Sequence, residues 1–186
     1  MNFHDPNKEK EIVSYHEAAH VVFYHDADIE FDCVTAGLDG GVWGEPRCNV
    51  EPSQALEMAT MIFAAEGAVH KAEHGTTGSH KTFEVFKTRA EKAESCLQSQ
   101  YAPNAVINSE DSIAALRLLK LAANAPENPY GGLKGCYEEA ISQAYTGVEA
   151  KWPEIEILAG RLLAANSLSA EECAKIIESA RRGEES

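Results

Sequence analysis

The sequence predicts a mainly helical α+β domain, and three observations carry that expectation. Apolar residues recur at helical spacing over most of the chain. One short region, Phe31 to Pro46, alternates instead and carries β-branched residues, which predicts a β-hairpin. The breaks between periodic stretches hold glycine, proline and small polar residues, the usual turn chemistry. With 186 residues, 44% hydrophobic and 25% charged, the chain is long enough for one well-cored domain over 1–186.

The first helix runs from about Asn7 to His25, and the polar Asp26-Ala27-Asp28 ends it. Its centre, Ser14-Tyr15-His16-Glu17-Ala18-Ala19-His20, is an HExxH pattern. Positions i and i+4 lie one above the other on a helix, so His16 and His20 can put two imidazole nitrogens on one Zn²⁺. Glu17 falls on the adjacent flank, badly angled to ligate and placed as a general base toward a zinc-activated water. Ile12, Val13, Ala19 and Phe23 recur at helical spacing and supply the apolar flank. Two histidines four apart also occur as plain helix features, and a catalytic zinc needs a third protein ligand with the fourth position open.

Phe31-Asp32-Cys33-Val34-Thr35-Ala36 and Gly40-Gly41-Val42-Trp43-Gly44-Glu45-Pro46, with a turn at Asp39-Gly40, form the expected hairpin. An edge strand beside a peptidase zinc can bind substrate as an added strand, and Val42-Trp43 is the candidate; a plain hairpin with Trp43 on the core is the alternative. From Pro52-Ser53 to His74, residues Leu56, Ala59, Ile62, Phe63, Ala65 and Val69 fit a central helix capped by Ser53. Glu66 stands within it as a carboxylate that would need a partner if buried, either orienting a histidine or ligating zinc itself. His70 and His74 are again four apart, followed by His80, but Lys71, Glu73 and Lys81 favour a solvated helix end over a second metal cluster.

Gly75 to Ser79 breaks that helix, and a polar helix from Lys81 to Gln98 follows. Tyr101 to Asn108 reads as a loop. Asn108-Ser109-Glu110-Asp111 then opens a helix whose Leu116, Leu118, Leu119 and Leu121 are expected to fill core. After a loop over Asn124 to Gly135 the chain is helical: Lys134 to Lys151, Trp152-Pro153 through Ala165, and a last helix from Ala170. Ser169 and Glu172 form a capping box for the last of these, and the tail from Arg181 is expected to fray.

A net charge of −14 speaks against nucleic-acid and anionic-membrane surfaces, which want clustered Lys and Arg. No apolar run approaches the roughly 20 residues that span a bilayer, and the N-terminus lacks a basic and apolar leader. Cys33, Cys48, Cys96, Cys136 and Cys173 form no CxxC pair and read as reduced thiols, none in a context that activates a nucleophile. A soluble, cytoplasmic protein is the expectation.

These residues resemble the peptidase domain of the FtsH-type ATP-dependent zinc metalloproteases. Tyr15-His16-Glu17-Ala18-Ala19-His20 is similar to that family's YHEAGH, with Ala19 for Gly; Gly40-Gly41-Val42-Trp43-Gly44 is similar to its following strand and turn. Ala64-Ala65-Glu66 is similar to its next helix, and Trp152 to Ala159, with Leu162, Leu163, Leu168, Glu171 and Glu172, to its closing helices. The resemblance implies a zincin-like helical domain with a short hairpin beside the HExxH helix. It also implies a third ligand, an Asp at a helix start in a Ser-x-Asp context after a Thr-Gly signature. Thr76-Thr77-Gly78 keeps the Thr-Gly part, with Thr82 at the acid position, while Ser109-Glu110-Asp111 keeps the Ser-x-Asp part. Asp111 is preferred, making the intervening stretch an insertion; Glu84, His80 and Glu66 stay open.

Two functions follow. The first is a freestanding zinc metallopeptidase, with His16, His20 and Asp111 on Zn²⁺ and Glu17 as base, cleaving peptides or unfolded proteins. The second is a weak or inactive zincin-like module that holds a peptide or partner. The family's membrane helices and ATPase are missing from this sequence, which has no GxxxxGK[ST] loop. ATP-driven unfolding would therefore need a separate ATPase partner, and a homo-oligomer is compatible with the reading.

Overall fold

α1 (Pro6–Asp26) is helical along its whole length, and every side chain from Glu17 to Tyr24 is buried. Ala18, Ala19, Val21 and Val22 lie in that band at 0% exposure. The helix ends where Asp28 turns left-handed at φ 55°. There the Ile29 N–H donates to Tyr24 O at 2.9 Å and the Asp28 N–H to His25 O at 3.3 Å, the paired bonds of a Schellman stop. The computed structural model describes residues 6–36, 41–43, 50–78, 82–98 and 107–183. The expected turn at Asp39-Gly40, Cys48, His80 and the tail after Gly183 lie outside the described residues.

Among the described residues there are seven helices and three short strands, the mainly helical fold with a hairpin that the periodicity predicts. β1 (Cys33–Thr35) pairs antiparallel with β2 (Gly41–Trp43), placing Val34 opposite Val42. A strand not anticipated from the sequence, β3 (Ser167–Ser169), pairs antiparallel on the other side, with Val34 opposite Leu168. The sheet order is β2-β1-β3, so among the described residues β2 is an edge strand.

The chain folds as two compact units. The first takes Met1–Cys48, Ala64–Gly78 and Tyr145–Ser186. In it α1 packs along α6 (Trp152–Ala165), α6 packs on α7 (Ala170–Arg181), and the strands lie against α1, α6 and α7. Ile155, Leu158 and Leu162 of α6 and Ile177 of α7 are fully buried, each contributing roughly 1.5–3 kcal/mol. Gly147, on the part of α5 (Leu133–Ala150) in this unit, makes room for α1: a Cβ there would lie 2.7 Å from the Phe23 ring. Asn166, left-handed at φ 67°, closes α6 and passes the chain to β3. Ser169 then ends β3 and caps α7 in the expected capping box with Glu172.

The second unit takes Asn49–Phe63 and Ser79–Ala144. α3 (Phe83–Gln98) packs on α4 (Ile107–Ala123), joined by Arg117 donating through Nε and Nη2 to Glu94 at 3.1 and 2.9 Å. Phe63, Phe86 and Tyr137 form an aromatic cluster with centroids 4.9–5.6 Å apart. Of the leucines expected in the core of α4, Leu116 and Leu119 are buried, whereas Leu118 and Leu121 are half-buried.

Two helix starts differ from the sequence reading. α2 (Ala55–His74) begins two residues after Ser53, which lies in a turn closed by the Gln54 N–H donating to Glu51 O at 2.9 Å, so Ser53 is not the cap. α4 begins at Ile107, one turn before Asp111, because Asn108 to Glu110 contain no glycine or proline and simply extend the helix. No described helix is long and apolar enough to cross a membrane.

Candidate metal centre

His16 and His20 stand one turn apart on α1, and their Nε2 atoms approach to 3.2 Å. The rings meet edge-on at 79° with centroids 4.9 Å apart. An ordinary N–H···N hydrogen bond, with one Nε2–H donating to the other Nε2, accounts for this approach, and a metal ion replacing that proton would hold the same pair. Two Zn–N bonds of about 2.0–2.1 Å at a tetrahedral angle put the nitrogens about 3.3 Å apart, close to the observed separation.

The burial of the three motif residues differs. His20 and Glu17 are 6% and 4% exposed, while His16 is half-buried. Of the expected apolar flank, Ala19 and Phe23 are buried and Ile12 and Val13 half-buried. Tyr24, one turn beyond His20, stacks on its ring with centroids 5.9 Å apart and planes 29° from parallel. That stacking was not anticipated, although an aromatic four residues past a ligand histidine is the pattern that would have pointed to it. Both strands of the hairpin pack against α1, and among the described residues β2 is the outer strand of the sheet.

Asp111 belongs to the second unit, in the second turn of α4, and is half-buried. Of the alternatives, Glu84 is exposed in the first turn of α3, and Thr82 is exposed just before it. Glu66 corrects an expectation: it is exposed, not a buried carboxylate in an apolar helix. Buried residues flank it on both sides, Ala64 and Ala65 before and Gly67 and Ala68 after, yet its own side chain points outward.

Among the described residues Cys33, Cys136 and Cys173 are free thiols. Burial pushes the Cys136 thiol up, and burial reinforced by the Glu172 charge pushes that of Cys173 up to about 12. Neither supplies a thiolate nucleophile at neutral pH. No protein-family model matches the chain, and no curated protein matches it.

Proposed function

We propose that the protein is an FtsH-like zinc metallopeptidase that hydrolyses unfolded polypeptides or peptides, with His16, His20 and Asp111 as zinc ligands and Glu17 as general base. The observation that carries this reading is the 3.2 Å approach of the two Nε2 atoms on a helix that buries Glu17 between them in sequence. Asp111 enters the ligand set through the Ser109-Glu110-Asp111 pattern at a helix start. When bound, the ion supplies Lewis acidity toward water and the scissile carbonyl.

The rest of the chemistry falls to the chain's own residues. The Glu17 carboxylate accepts a proton from the attacking water and delivers it to the departing amine. The β2 edge holds the substrate backbone extended by strand addition, which gives affinity with little side-chain preference. Such a site accepts chains that are already unfolded, so folded substrates require a separate ATPase partner. The reading places the protein in the cytoplasm, the compartment that keeps thiols such as Cys33 reduced.

Elemental analysis of untagged protein tests the ligand pair. We expect one zinc per chain in wild type and loss of it in His16→Ala and His20→Ala. Equal zinc in wild type and both variants removes the site.

A further inference from the structure

We propose that His70 and His74, in the last turns of α2, form a separate site for a late divalent transition-metal ion. They share one face of the helix at i and i+4, and their ring centroids lie 4.5 Å apart, close to the 4.9 Å of the His16–His20 pair. His70 is half-buried and His74 exposed, so a hydrated ion can reach both.

The turn that follows α2 holds His70 as a ligand histidine is held. The His70 Nδ1–H donates to the Thr76 carbonyl at 2.8 Å, which leaves Nε2 as the lone-pair nitrogen; bonding of the second ring nitrogen to a carbonyl is the usual support of a metal-bound imidazole. Gly78, at φ 89°, lies against the face of the same ring, and a Cβ there would sit 2.9 Å from three ring carbons. Thr77 donates from both backbone and hydroxyl to Glu149, tying the turn to α5. The neighbouring cation does not compete for the site: Lys71 is hydrogen-bonded to Glu149 and lies 5.0 Å over the Trp152 ring. Glu73 pairs with Lys8 at 3.9 Å.

Two imidazoles with the remaining positions left to water suit Cu²⁺, Ni²⁺ or Zn²⁺ and discriminate against Mg²⁺ and Ca²⁺. The site is independent of the proposed zinc centre. A Ni²⁺ titration followed by calorimetry and melting temperature, in a His16→Ala/His20→Ala background, tests it. We expect one Ni²⁺ per chain with a rise in melting temperature, both abolished by His74→Ala, and affinity at least about tenfold weaker in Gly78→Ala. Should that background not fold, broadening of the His70 and His74 imidazole NMR signals by Ni²⁺ in the wild-type chain reads the same event. Binding unchanged by His70→Ala and His74→Ala, or half-saturation above about 1 mM, overturns the proposal.

Discussion

Glu17 and Glu66 each precede two small residues, Ala18-Ala19 and Gly67-Ala68, yet only Glu17 is buried. Helical phase separates them. Glu66 lies on the stripe Ile62, Glu66, Val69, Glu73, whose members are half-buried or exposed, whereas Glu17 belongs to a band that is buried all round the helix. The juxtaposition of the His16 and His20 rings was legible because positions i and i+4 stack on one helix face through helix geometry alone. A partner for the pair from elsewhere in the chain has no such signature, because a lone acid carries no spacing of its own. For that position we expect Asp111→Asn to weaken zinc retention by about tenfold or more in a chelator competition. Glu84→Gln and Thr82→Ala should leave it unchanged. Metal loss in Glu84→Gln instead would favour the alignment through Thr76-Thr77-Gly78.

At the scale of elements, the helices and the β1–β2 hairpin were legible and the third strand was not. Long apolar periodicity fixes α1, α5 and α6 to within a residue or two. β3 escaped because Ser167-Leu168-Ser169 is too short for alternation to register, and its strand character comes from pairing with β1. Ser169 was read as a helix cap, which it is, while also ending a strand. The end of α1 is held by Asp26, which accepts hydrogen bonds from Lys151 at the start of α6 and Arg181 at the end of α7. Burial alone would raise the Asp26 pKa, but the bonds from Lys151 and then Arg181 outweigh it and hold the carboxyl below its ordinary value. A depressed carboxyl contributes stability that is fully present above its unfolded pKa of about 3.9 and is lost as pH falls through the folded value. Asp26→Asn should therefore cost roughly 1–2 kcal/mol at pH 7, reduced for partial exposure, with the difference from wild type shrinking below about pH 4. Denaturant melts of both proteins at pH 7 and pH 3 check this. A constant difference across that range would assign the cost to something other than the Asp26 charge.

For the whole molecule, the net charge is −14, and no described helix is long and apolar enough to cross a membrane. The proposed peptidase would then meet its substrates as unfolded chains, presented along the β2 edge beside a helix that carries both base and metal ligands. That account stands or falls on Glu17. Glutamine keeps its size and hydrogen bonding but removes the proton acceptor, so zinc content and cleavage of an unfolded protein such as casein, measured in parallel on wild type and Glu17→Gln, separate an enzyme from a binding module. The account predicts that the variant keeps its zinc and loses roughly 100-fold or more in cleavage rate. Equal cleavage by both proteins, or a wild type that holds zinc yet cleaves nothing across a broad peptide library, would contradict it.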